Sequence, residues 1–190
     1  MARAGLTAAR VTEAAADLAD EIGFDKVTVS ALARGFGVKD ASLYSHVRNL
    51  ADLRTRVALL AAGEKIDLIA DAVADRTGKD ALIAYTGAYR AYAQAHPGRY
   101  AATQIPLDPS ATAGSPAFHR TIDITYGLLR GYGLTEPDLT DAVRLLRSTL
   151  HGYISLEAAG SFAHPRNIQA SWNRTVEALH TLLKNWPTQP

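Results

Sequence analysis

The chain has 190 residues, 47% of them hydrophobic, no cysteine, and 20 basic against 19 acidic side chains for a net charge of +1. That length holds one large domain or two small ones and buries roughly 70% of the unfolded surface, so the core needs no disulfide or structural metal. The missing cysteines exclude disulfide frameworks, thiolate metal sites and cysteine nucleophiles, and the even charge supplies no global basic signature, so any nucleic-acid face must arise from local segregation of charge.

No stretch alternates with period 2 over a useful length, and Ala/Leu/Arg-rich segments recur at helical spacing, which predicts an all-α fold of about nine helices. In the first, Leu6, Val11, Ala14, Ala15, Leu18 and Ile22 form an apolar stripe that Gly23 ends. Asp25-Lys26 connects to a second helix, capped by Thr28 or Ser30 and running through Phe36, and Gly37-Val38 breaks it. A third short helix spans about 39–47. Asn49 with Asp52 three residues on resembles a capping box and opens a long fourth helix to about residue 74. Further helices are expected at about 79–95, 98–105, 116–131, 137–159 and 167–185, with a Pro/Ser/Ala/Gly-rich loop from Pro106 to Pro116 and a frayed tail from Pro187 to Pro190. No apolar run approaches the ~20 residues that span a bilayer, and the N-terminus has no apolar signal core, so a soluble cytoplasmic protein without membrane association is expected.

The first three helices have a clear physical use. Val29, Leu32, Ala33 and Phe36 on the second, with Val38, Leu43 and Val47 on the third, can bury one apolar seam across a turn that Gly37 permits. Lys39, Asp40, Ser42, Tyr44, Ser45 and His46 then remain as a polar surface on a short helix. Such a helix fits the B-DNA major groove, which is about 12 Å wide.

The string from Val27 to Val38, continued by Ser42-Leu43-Tyr44-Ser45-His46-Val47-Arg48-Asn49, resembles the DNA-binding domain of the tetracycline-repressor (TetR) family over about residues 7–55. The resemblance implies phosphate contacts from Tyr44, His46, Thr28 and Ser42, and base readout around Lys39, Asp40, Ala41 and Ser45. The family often has a lysine where this chain has Leu50; Arg48 either takes over that phosphate contact or the contact is lost. Taken alone, Tyr44 reads equally as a packed aromatic with a wet hydroxyl and His46 as a surface histidine.

The remainder, from 51 to 190, resembles the WHG-type C-terminal domain of the same family. Two patches carry this, Ala88 to Tyr100 and Leu146 to Phe162, although the tryptophan that gives the subgroup its name is replaced by the neighbourhood Leu146-Arg147-Ser148. The resemblance implies two domains, residues 1–50 for DNA binding and 51–190 for effector binding and dimerisation. Tyr85, Tyr89, Tyr92, Tyr100 and Tyr126, with His151, are candidate ligand-binding residues, because a tyrosine offers an apolar body and a hydroxyl to aim. Tyr85, Tyr89 and Tyr92 fall at i, i+4 and i+7 on one helix face, and ordinary core packing explains them as well. The last two helices, through Leu146, Leu150, Ile154, Val176, Leu179 and Leu183, are the expected homodimer interface or else an internal packing face.

The resulting expectation is a homodimeric regulator that binds a palindromic operator in double-stranded DNA and responds to a small-molecule effector, most simply by release. No cofactor, metal or catalytic residue is expected. An enzyme built on His151 with Glu157, or His96 with Asp108, has neither metal-site spacing nor a nucleophile or phosphate-loop motif behind it. A helical ligand-binding or protein-interaction module without sequence-specific DNA binding is the other alternative.

Overall fold

The computed structural model describes residues 5–187, so the expected fraying beyond Pro187 lies outside the described residues. Those residues form ten α-helices and a single 3-10 turn, Phe24–Lys26, with no strand. No helix among them is long and apolar enough to cross a membrane.

The helix ends follow local chemistry. Helix α1, Ala8–Ile22, starts where the Thr7 side chain accepts from the Arg10 N–H at 3.2 Å, and ends at Gly23, whose φ of 93° a side chain would resist. Helix α2, Val29–Phe36, is capped by Thr28 accepting from the Ala31 N–H at 3.1 Å. It stops at Gly37, left-handed at φ 65°, with the Val38 N–H returning to the Ala33 carbonyl. Helix α3 is only Asp40–Leu43, followed by turns through His46, where the sequence suggested a helix to 47. Helix α4, Leu50–Val73, opens as expected with the Asn49 side chain accepting from the Asp52 N–H at 2.8 Å. The return bond is displaced by one residue, because the Asp52 carboxylate accepts from the Arg48 N–H at 3.0 Å.

Then come α5 (Gly78–Ala95), α6 (Pro97–Ala102), α7 (Pro109–Ala113), α8 (Pro116–Arg130), α9 (Asp138–Ala158) and α10 (Ile168–Lys184). Helix α7 lies in the segment expected to be loop. Its start is an Asp108 side chain accepting from the Ser110 N–H at 2.8 Å, with Pro109 at the first helical position where no N–H is needed.

Two compact units interleave along the chain. The first takes residues up to Lys65 together with Ala95–His119, and the second takes Ile66–Gln94 and the chain from Arg120 onward. In the first unit α6 packs along α1. The stripe expected on α1 is shifted as a result: Val11, Ala15, Ala16 and Ala19 are buried, Leu6, Ala14 and Leu18 are half-buried, and Ile22 is exposed. Small alanines on α1 let a backbone come close, and Gly98 of α6 does so, for a Cβ there would lie 2.0 Å from the Ala19 carbonyl oxygen.

In the second unit, Leu82 and Tyr85 of α5, Leu129 of α8, Leu139, Leu146 and Leu150 of α9, and Trp172, Val176, Leu179 and Leu183 of α10 are buried. Arg90 of α5 reaches Glu157 of α9 through Nε at 2.8 Å and Nη2 at 2.5 Å, and donates to the Gln169 side chain of α10 at 2.7 Å. Its guanidinium also lies 4.9 Å from the Trp172 ring centroid.

Candidate nucleic-acid interface

Helices α2 and α3 meet at the Gly37–Lys39 turn. Val29, Leu32, Ala33, Leu43 and Val47 are buried in one seam, with Phe36 and Val38 half-buried at its edge. This is the seam expected from the sequence. Opposite it, Lys39, Asp40, Ala41, Ser42, Tyr44 and Ser45 are exposed, Tyr44 at 52%, while His46 is half-buried. An aromatic residue half open to solvent beside two wholly buried apolar residues is unusual for a side chain that only packs. Thr28 is exposed at the start of α2 with its hydroxyl held as a cap, and the Ser45 hydroxyl donates to the Ser42 carbonyl at 2.8 Å. All nine residues expected to meet DNA therefore belong to one unit, and eight of them are exposed.

Two charged groups in this region gain partners that sequence reading missed. Ser30 of α2 donates its hydroxyl to the Asp40 carboxylate of α3. The other is Arg48, whose guanidinium lies 2.9 Å from Asp52 while Arg56 approaches the second oxygen of the same carboxylate at 3.1 Å. The spacing Arg48, Asp52, Arg56 at i, i+4, i+8 is the signal that could have shown this pairing. The Arg48 side chain is still 84% exposed, so it remains able to reach a phosphate. Arg54, by contrast, points inward, donating to the Asp25 carbonyl at 3.0 Å with its guanidinium over Phe24.

The Asp52 side chain is only 8% exposed, and that burial works against its ionisation. The Arg48 N–H and the guanidinium groups of Arg48 and Arg56 outweigh it and hold the carboxyl below its ordinary 3.8. On unfolding the group returns to the ordinary value. The stability it lends is thus fully present above that value and fades as the pH falls through the lower folded one. Urea unfolding of Asp52→Asn between pH 7 and pH 3 is expected to show lower stability at neutral pH and a shallower acid limb than the parent chain; identical limbs would remove Asp52 from the acid response.

Arg99 of α6 ties the first unit together. Its guanidinium reaches Asp17 at 2.6 Å and Asp20 at 2.8 Å, both on α1, and Glu64 of α4 at 3.4 Å. Its N–H donates to Asp20 at 2.8 Å, and His96 Nδ1 lies 3.1 Å from the same carboxylate.

The residues expected to bind an effector divide between the units. Tyr85, Tyr89, Tyr92, Tyr126 and His151 are in the second unit, whereas Tyr100 is in the first, buried with the Lys65 ammonium 5.9 Å from its ring centroid. Tyr85, Tyr89 and Tyr92 are buried, and Tyr126 and His151 half-buried. Tyr85 stacks on Tyr89 with centroids 6.3 Å apart, and its hydroxyl shares a 2.9 Å hydrogen bond with Thr125. Burial pushes the Tyr85 phenol up to about 12, so it stays a neutral donor and acceptor. Two open hollows, of about 420 and 410 Å³, lie on α10 near Leu182 and around the Arg130–Glu136 turn, and neither includes these residues.

The six residues expected at the dimer interface point inward within the single chain. Leu146, Leu150, Ile154, Val176, Leu179 and Leu183 are each at most 6% exposed within the single chain, because α9 and α10 pack their leucine stripes into the core of their own unit. The large apolar side chains exposed on those two helices are Leu156, at 49%, and Leu182, at 40%.

Two family models match the chain. Residues 11–57 match "Bacterial regulatory proteins, tetR family", and residues 82–179 match "Tetracyclin repressor-like, C-terminal domain". The chain is 37% identical over 161 residues to an uncharacterized HTH-type transcriptional regulator of Mycobacterium tuberculosis, covering 83% of this chain and 72% of that protein. It is 32% identical over 176 residues to another such regulator of Bacillus subtilis, covering 92% and 91%. Among solved structures, the Streptomyces coelicolor TetR family protein ActR in complex with (S)-DNPA has a similar fold, with a TM-score of 0.68 at 19% identity over 98% of this chain and 100% of that one.

Proposed function

The chain belongs to the TetR family of helix-turn-helix transcriptional regulators, and from that premise we propose that it is a homodimeric repressor released from a palindromic operator by a small-molecule effector. Residues 1–50 supply the DNA contacts, and residues 51–190 bind the effector and the second subunit. The observation that carries this reading is the exposed row Lys39, Asp40, Ala41, Ser42, Tyr44 and Ser45 standing over buried Leu43 and Val47. Tyr44, His46, Thr28, Ser42 and Arg48 take phosphates and so set register, while Lys39, Asp40, Ala41 and Ser45 face base edges. A dimer follows from the duplex, since two recognition helices must enter major grooves about 34–36 Å apart.

Helix α4 runs from the first unit into the second and is the element an effector would bias. An effector that prefers the DNA-incompetent state about 100-fold shifts the equilibrium by ~2.7 kcal/mol. ActR, a protein of the same fold, was solved with a small molecule bound, and this supports the effector role. Tyr85 with Thr125, and the half-buried Tyr126 and His151, are the groups we assign to that role in the second unit.

The second subunit docks on the outward sides of α9 and α10, where Leu156 and Leu182 are exposed. Sedimentation of Leu182→Arg tests this. A monomer is expected, and an unchanged dimer would place the interface elsewhere.

Selection of bound fragments from the source genome tests the function as a whole, with Tyr44→Ala as control. The parent protein should recover one palindromic site, and the variant should recover none while keeping its dimeric state. No recovery by the parent even at low salt, where phosphate contacts are strongest, would overturn the reading.

A further inference from the structure

We propose that Asp40 makes the regulator specific for a cytosine in each operator half-site, its carboxylate accepting the N4 amino hydrogen in the major groove. The inference rests on the DNA-binding reading above and goes beyond it by naming the base.

Asp40 occupies the first turn of α3, is exposed, and sits in the row that Lys39 begins. A carboxylate there faces a duplex that carries one negative charge per about 1.7 Å of axis, so its presence weakens binding to every sequence unless a base repays it. Among the described residues Asp40 has no salt-bridge partner; the group that holds it is the neutral Ser30 hydroxyl. Asp52, twelve residues on, shows the contrast. Two guanidinium groups neutralise it and its side chain is 8% exposed, as suits a structural carboxylate. Asp40 has no guanidinium beside it among the described residues, and Ser30 on α2 fixes its direction across the turn.

The serine hydroxyl occupies Oδ2, which leaves Oδ1 to accept from outside. Two base groups donate in the major groove, the N4 amino of cytosine and the N6 amino of adenine. Adenine's amino group stands between two acceptors, its own N7 and the thymine O4 of the same pair. A carboxylate has no hydrogen for either and is repelled by both. Cytosine's amino group has a single neighbouring acceptor, the guanine O6, and on its other side an apolar C5–H edge. One oriented acceptor oxygen with no donor beside it therefore selects cytosine. An amide at the same position could pair with adenine N6 and N7 together.

The test is selection from randomised duplexes by the full-length parent, Asp40→Asn, Asp40→Ala and Ser30→Ala. The parent is expected to return a palindrome with cytosine fixed at one position per half-site. Asp40→Asn should return the same palindrome with adenine there. Asp40→Ala should tolerate any base there, with cytosine preference falling by about 10- to 100-fold, the range of one mismatched base pair, and with tighter binding to non-specific DNA. Ser30→Ala should keep the cytosine but with weaker preference. A palindrome that Asp40→Ala leaves unchanged at every position overturns the inference and leaves the regulator standing. An Asp40-dependent position that the parent fills with adenine overturns the cytosine assignment. If the parent returns no site at all, the DNA-binding reading falls, and this inference with it. Circular dichroism of each variant confirms that the helices are intact.

Discussion

Arg90→Ala is expected to destabilise the chain by about 3–5 kcal/mol, the usual cost of removing one member of a buried ion pair. The Arg90 side chain is 9% exposed and the Glu157 side chain 17%, so the stranded carboxylate could recover little hydration. A 3.2 Å bond from Gln94 would remain, too weak to replace a two-pronged guanidinium. The same substitution uncovers the Trp172 ring and releases Gln169, loosening α5 from both α9 and α10 at once. Urea unfolding of the parent and variant checks the figure. A double variant, Arg90→Met with Glu157→Leu, should regain most of the loss, because it leaves no buried charge without a partner. If the single variant loses under about 1 kcal/mol, the pair behaves as an exposed one and does not hold the second unit together.

Gly98→Ala should be nearly as damaging, through sterics alone. The new Cβ would lie 2.0 Å from the Ala19 carbonyl oxygen and 2.1 Å from its carbon, both backbone atoms inside a helix that cannot turn aside. Helix α6 must therefore lift from α1, and overpacking of this kind typically costs about 1–3 kcal/mol. Lifting also lengthens the Arg99 contacts to Asp17 and Asp20, which pushes the loss toward the upper end. For a chain of this size each kcal/mol lowers the melting temperature by about 2–4 °C. Differential scanning calorimetry should show a fall of several degrees, and operator affinity should fall too, since α1 supports the interface helices. An unaltered melting temperature would mean that α1 and α6 are not in the contact described.

Much of this architecture is legible in the sequence, because its punctuation is local. Thr28 before an apolar run, Gly23 and Gly37 after one, and Asn49 three residues ahead of Asp52 each report on bonds within a single turn. The buried seam of Leu43 and Val47 follows from spacing in the same way, and with it the exposure of Tyr44. Long-range partnerships leave no such mark. Arg90 and Glu157 are 67 residues apart, and Arg99 and Asp20 are 79, and nothing near either arginine shows which acid it will meet. Helix α7 escaped notice because five residues carry no periodicity, although Asp108-Pro109 is a legible cap and first turn. The leucines of α9 and α10 teach a different lesson. Repeats at three and four identify a face that must be covered, but whether the chain's own core or a second subunit covers it depends on tertiary packing.

The interleaving of the first unit bears on any attempt to re-wire the regulator. A chimera joining residues 1–50 to a foreign effector domain would discard α6 together with the α4 glutamate that meets Arg99. Its α1 would then lose the cover that Gly98 gives Ala19, and Asp17 and Asp20 would be stripped of their arginine. A transplant that keeps the DNA-reading surface in working order has to carry two separate pieces of chain, residues up to Lys65 and Ala95–His119, so the portable module is discontinuous and larger than its motif.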